Sequence, residues 1–151
     1  MSTVEKQKNQ DMEQIVYNHK MPIQLRFFDV DVFGHVNNTV YFQYYDTAKI
    51  DYIRQVCHIT DKKYAIVTVH IDADFLSQVY IEDHVEVQTA VTRIGTKSFN
   101  LSQQLVDTDS GEVKCVGRTI MVAYDLEKGE SIELLPEWIE DIEKYEGKKL
   151  K

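Results

Sequence analysis

The chain has 151 residues, a length that suits one domain with a sizeable core and argues against a second. Apolar residues at 43% and charged residues at 28% exclude a disordered chain, and a formal net charge of −8 argues against nucleic acid or an anionic membrane as a general partner, because both would be repelled. With only Cys57 and Cys115, no apolar leader and no apolar run near the roughly 20 residues that cross a bilayer, a cytoplasmic protein without a disulfide framework is expected.

Residues 1–20 are rich in Glu, Gln, Lys and Asn, with a weak helical spacing of Met12, Ile15 and Val16. They read as an N-terminal arm or a short packed helix ahead of a domain over 21–147. Pro22 starts a strand-like alternation in which Ile23, Leu25 and Phe27 oppose Gln24, Arg26 and Phe28. The run ends in the densest polar cluster of the chain, where Asp29, Asp31, Gly34, His35, Asn37 and Asn38 fall at a strand-to-helix join. A helix start offers unpaired backbone N–H groups and the positive end of the dipole, so a carboxylate held just before it can work on an electrophile polarised there.

From about Asn38 to Cys57 the pattern is helical, with Asn37, Asn38 and Thr39 as candidate N-caps and no Gly or Pro inside. Gln43, Thr47, Asp51 and Gln55 form a narrow polar row, while residues such as Tyr41, Tyr45, Ala48, Ile50 and Tyr52 cover the rest. A helix so widely apolar must be enclosed on several sides. Asp46 falls in the apolar sector, so its carboxylate is expected to be buried and paired with Lys49 at i+3.

Beyond Asp61 each segment alternates with period two. Val67, Val69, Ile71, Ala73 and Phe75 make one strand, Val85 to Val91 a second, and Phe99 to Leu105 a third after a break at Ile94-Gly95-Thr96-Lys97. Asp107-Thr-Asp-Ser-Gly111 is hairpin chemistry, Val113 to Ala123 follows as another strand, and Pro136 opens a short helix carrying Trp138, Ile139 and Ile142. Tight turns imply antiparallel neighbours, and the arrangement that buries these faces is α+β: a curved five-stranded antiparallel sheet wrapped around one long helix.

That order, together with Asp29-x-Asp31-x-x-Gly34-His35-Val36-Asn37-Asn38-x-x-Tyr41, resembles the hotdog-fold acyl-coenzyme A thioesterases, and among them the 4-hydroxybenzoyl-coenzyme A thioesterase family. The likeness runs from about Ile23 to Ile142 and includes Tyr44-Tyr45-Asp46-x-Ala48-Lys49, Ile94-Gly95-x-Lys97-Ser98-Phe99 and Leu135-Pro136. It implies hydrolysis of the thioester of an acyl-coenzyme A or acyl carrier protein, without a cofactor, by a homodimer or homotetramer whose sites are shared between subunits. Asp31 occupies the family's catalytic position, as nucleophile or as general base. Arg93, Thr96, Lys97 and Ser98 stand where relatives hold coenzyme A, and Tyr64, Ala65 and Ile66 where they supply a backbone donor to the thioester carbonyl. Two departures matter: Asp46 and Lys49 replace the Glu and Arg of many relatives, and His35, Asn37 and Asn38 differ from the hydroxybenzoyl enzymes, so that substrate is not carried over.

Each residue has a plainer reading. Asp31 could cap the following helix, stabilising it by roughly 1 kcal/mol. Gly34 would let backbone approach a ligand closely. His35 could orient water, contact the thioester or act as a base, or serve structure alone. Asn37 and Asn38 are helix caps first, with one free to hydrogen-bond the catalytic carboxylate, and Tyr41 either reaches back to the site or packs in the core. Asp29 reads as a turn former paired with Arg26. A calcium loop fails because Phe33 and Val40 stand where ligands are required, and the five histidines lack zinc-ligand spacing. The serious rival is a non-catalytic hotdog protein that binds or senses acyl-coenzyme A; the Asp, Asn and His spacing of hotdog hydratases is absent.

Overall fold

A computed structural model describes residues 15–151, so most of the expected arm, including Met12, lies outside the described residues. Strand β1 (His19–Ile23) leads through a 3-10 turn (Phe27–Asp29) to helix α1 (Asn38–Cys57). Strands β2 (Tyr64–Phe75), β3 (Val85–Ile94), β4 (Ser98–Asp107) and β5 (Val113–Asp125) follow, then a two-residue β6 (Glu130–Ser131) and helix α2 (Pro136–Glu146). The sheet runs β1-β3-β4-β5-β2 with every pair antiparallel, and β6 adds to β5. This is the hotdog arrangement.

Helix α1 lies on the concave face and divides the core in two. Its first half places Val40, Tyr41, Tyr44, Tyr45 and Ala48 against Val85, Val87, Leu105 and Cys115. Its second half places Tyr52 and Val56 against Val91, Ile94, Phe99, Met121 and, from α2, Trp138 and Ile142. Asn37 caps α1, its Oδ1 accepting from the Thr39 amide at 3.0 Å, and His58 ends the helix with φ 52. The helix approaches the sheet closely at Gly117, where a Cβ would stand 2.7 Å from the Tyr45 ring.

Four expectations need correction. The first strand begins at His19 instead of Pro22, inside the segment read as an arm, and stops at Ile23 because Asp29 draws Arg26–Asp29 into a turn. The alternation of β2 is interrupted by a bulge between Thr68 and His70, so Thr68 faces the helix side beside Met121, and Val69 is exposed. Ile50, read as enclosed, is half exposed. The carboxylate of Asp46 is 70% exposed, and it is Lys49 that is buried, at 3%. The ion pair itself is present, Nζ of Lys49 donating to Asp46 Oδ1 at 3.3 Å.

Candidate active site

The loop between the 3-10 turn and α1 is folded by its two aspartates in different ways. Asp29 is buried and accepts from the Tyr44 hydroxyl at 2.6 Å, the Arg26 amide at 3.0 Å and the Arg26 guanidinium at 3.2 Å, while its carbonyl accepts from the Asn37 amide at 2.9 Å. Burial alone would push its carboxyl pKa up. The Tyr44 hydrogen bond, then those of Arg26, outweigh it and hold the pKa below the usual value. The Tyr44 hydroxyl is correspondingly raised, by burial and then by the Asp29 carboxylate. The reading of Asp29 as a structural partner of Arg26 is therefore correct, with Tyr44 as the partner that spacing alone did not reveal.

Asp31 is exposed. Its Oδ1 accepts from the amides of Phe33 at 2.9 Å and His35 at 3.3 Å, and its own amide donates to the His35 carbonyl at 2.8 Å. Among the described residues no hydrogen bond engages Oδ2. The carboxylate is thus fixed in direction by one oxygen and open to solvent at the other. It does not cap α1, since Asn37 does.

Gly34 holds the turn with φ +82, and a Cβ there would meet open space. The left-handed backbone, and not crowding, is what calls for glycine. The imidazole of His35 packs edge-on against Tyr80 at 5.0 Å, and a backbone bridge joins the two residues. Neither asparagine hydrogen-bonds the Asp31 carboxylate. Asn37 is committed to Thr39, and Asn38 lines a cavity of about 340 Å³ with Tyr41, Phe75, Leu76, Ser77 and Gln78. Tyr41 is core: it is 2% exposed, crosses Phe75 edge-on at 5.2 Å, and its hydroxyl takes a bond from the Val79 backbone while burial pushes its pKa up to about 12. The segment Phe75–Gln78 was missed in sequence because it carries no motif; only the end of strand alternation after Phe75 marks it.

Arg93, Thr96, Lys97 and Ser98 are not brought to Asp31 within one chain. They sit at the β3–β4 turn, which packs with the second half of α1, whereas Asp31 precedes the first half. The ten residues of β4 separate the two ends by roughly 30 Å. The start of β2, Tyr64–Ile66, pairs with Ala123–Asp125 at the same far end. Among the described residues no three or more His, Cys, Asp or Glu side chains gather to hold a metal ion, and no helix is long and apolar enough to cross a membrane.

The family described as the Thioesterase-like superfamily matches residues 25–142. The long-chain acyl-CoA thioesterase FadM of Escherichia coli is 25% identical over 124 residues, 80% of this chain and 94% of that protein. A thioesterase of Thermus thermophilus, solved with coenzyme A and Zn, superposes with a TM-score of 0.77 at 25% identity, over 89% of this chain and 98% of that one. A 1,4-dihydroxy-2-naphthoyl-CoA thioesterase from Synechocystis shares the fold, with a TM-score of 0.73 at 18% identity over 82% of this chain and 94% of that one.

Proposed function

The chain belongs to the thioesterase-like superfamily and is a thioester hydrolase, and from that premise we propose that it cleaves acyl-coenzyme A to the free acid and coenzyme A, with Asp31 driving the attack. The observation that carries this reading is the Asp31 carboxylate, tethered through Oδ1 and open at Oδ2 on an exposed loop before α1. As general base, Oδ2 takes a proton from water as the water oxygen bonds to the carbonyl carbon. As nucleophile, it forms a mixed anhydride that water then opens. In both routes the C–S bond breaks and a thiolate leaves; with a thiol pKa of about 8.5 it needs little help from an acid. Acyl carrier protein offers the same thioester.

Turnover of short, medium, long and aromatic acyl-coenzyme A substrates tests the proposal. Asp31→Asn is expected to lower kcat/KM by about 10²–10⁴ while thermal stability stays within about 1 kcal/mol of wild type. Unchanged turnover in Asp31→Asn would remove Asp31 from the mechanism, and wild-type binding without turnover on every substrate would favour the sensor reading. In ¹⁸O water under single turnover, label in the Asp31 carboxylate identifies the nucleophilic route with water opening the anhydride at the Asp31 carbonyl, since a general base acquires none.

The separation of Asp31 from the β3–β4 turn supports a homodimer with shared sites. Among the described strands β2 ends the sheet, and none of them pairs with its outer edge. Antiparallel pairing of this edge with its two-fold copy would bring the partner's Tyr64 end beside Phe75, which is the end nearest α1's start and Asp31. Arg93, Thr96, Lys97 and Ser98 would then serve the partner's Asp31. Exposed apolar side chains around the loop, Phe28 at 93% and Val32 at 95% among them, are a further reason to expect cover.

A further inference from the structure

Residues 76–84 join β2 to β3. Among them Val79 is fully buried, its carbonyl accepts from the Val36 amide at 2.8 Å, and the Tyr41 hydroxyl bonds to its backbone, so both α1 and the loop before it grip this point. Tyr80 follows and is closed into a turn by Asp83. Its amide donates to Asp83 Oδ2 at 2.9 Å, and its carbonyl accepts from the Asp83 amide at 3.0 Å. The Tyr80 backbone is thereby fixed beside His35, with which it forms an antiparallel bridge, and its ring meets the imidazole edge-on at 5.0 Å and 84°.

Tyr80 is 43% exposed, so its ring adds little to the core that Val79 beside it fills. What the ring touches is the residue that holds Asp31. His35 donates its amide to Asp31 Oδ1 at 3.3 Å and its carbonyl accepts from the Asp31 amide at 2.8 Å, while Asp31, Val32, Phe33 and Gly34 are all exposed. A loop with so little burial of its own takes its order from the points where it is pinned. His35 is such a point. Among the described residues no hydrogen bond holds its imidazole, and the contact that orients it is the Tyr80 ring, in the edge-to-face geometry and spacing that aromatic pairs favour.

We propose that Tyr80 is a positioning residue of the hydrolysis: by holding the His35 ring it keeps His35, and through it the Asp31 carboxylate, in the orientation from which attack on the thioester proceeds. The proposal rests on the reading of Asp31 as the reacting group. The Tyr80 hydroxyl makes no hydrogen bond among the described residues, so the flat ring is the part that acts.

Steady-state turnover of the best-cleaved member of the acyl-coenzyme A panel tests this. Tyr80→Ala is expected to lower kcat by about ten- to a hundredfold with KM within about twofold, since misplacing a reacting group slows the chemical step more than it weakens binding. Tyr80→Leu keeps bulk without the flat ring and should be slowed likewise, whereas Tyr80→Phe keeps the ring and should stay within about threefold of wild type. In a His35→Ala background, Tyr80→Ala should change kcat by less than about twofold, because the link is already cut. Full additivity with His35→Ala, a loss in Tyr80→Phe equal to that in Tyr80→Ala, or a Tyr80→Ala or Tyr80→Leu enzyme as fast as wild type would overturn the proposal. Proton NMR of the full chain reads the contact without turnover. The His35 ring protons, assigned by their absence in His35→Ala, should be displaced by the Tyr80 ring current in wild type and Tyr80→Phe and return to random-coil positions in Tyr80→Ala. Random-coil positions in wild type, or His35 signals unmoved by Tyr80→Ala, would overturn the proposal whether or not a substrate is cleaved. Failure of the proposal alone leaves Asp31→Asn slow, and failure of the Asp31 reading leaves Asp31→Asn as fast as wild type, so the two are told apart.

Discussion

Two aspartates two residues apart are held in opposite ways because their surroundings differ. Asp29, buried under three donors, is a fixed anion that ties Arg26, the loop and α1 together, and Asp31 beyond it is left with one open oxygen. The lowered pKa of Asp29 carries a pH signature. Since folding favours its ionised form, its contribution is fully present above the unfolded value of about 3.9 and is lost as pH falls through the lower folded value. Asp29→Asn keeps the shape but removes the charge, and is expected to cost about 1–3 kcal/mol at neutral pH, with the gap to wild type closing in acid. Thermal denaturation followed by circular dichroism from about pH 3 to 7 reads this directly. A gap that stays constant across the range would mean that the Asp29 charge contributes nothing. The same variant should lower activity through the loop, with Asp31 itself untouched.

At the scale of elements, α1 sits where it does because β5 offers a glycine beneath a tyrosine. Gly117→Ala would drive a methyl group to 2.7 Å from the Tyr45 ring, which is itself fully buried, so relief requires the helix to lift. A loss of about 1–3 kcal/mol in urea denaturation is expected, and Tyr45→Leu in the same background should recover part of it. A neutral Gly117→Ala would show that the helix has slack. These elements were legible in sequence to different depths. The limits of α1 could be read because Asn37 caps it and nothing inside breaks it, and the hairpins because Gly and Asp mark the turns. The bulge in β2 could not, since Val67-Thr-Val-His alternates perfectly and the extra residue is placed by pairing to β5. Nor could the inverted burial of Asp46 and Lys49, because their order of exposure depends on how α1 is rotated against strands distant in sequence. In the loop, the motif pointed to Asp31 as the reacting group, but the tether from Phe33 and His35 and the Tyr44–Asp29 bond are backbone and tertiary facts. The position of Arg93 to Ser98 at the far end of the sheet follows only from topology.

Among the described residues no strand pairs with the outer edge of the twelve-residue β2, which lies beside an exposed apolar loop, an arrangement that a lone chain would be expected to blunt. The β2 bulge and the polar side chains of His70, Asp72 and Arg118 do so over one stretch, while Val67, Val69 and Leu76 remain exposed. If that edge joins two copies and the sites are shared, light scattering at micromolar concentration should give a dimer or tetramer, and Val69→Lys, at an exposed position, should shift the mass towards monomer and lower turnover in proportion. A strictly monomeric wild type would end the proposal of shared sites. Complementation makes the sharper test. Asp31→Asn damages one half of each site, and Arg93→Ala with Lys97→Ala the other half, so each homodimer has two damaged sites. A mixed dimer of the two has one site damaged twice and one site intact. Refolding the two variants together in equal amounts should recover about a quarter of wild-type turnover, since half the dimers are mixed and each has one intact site of two. If both halves of a site came from one chain, mixing would give only the average of the two variants.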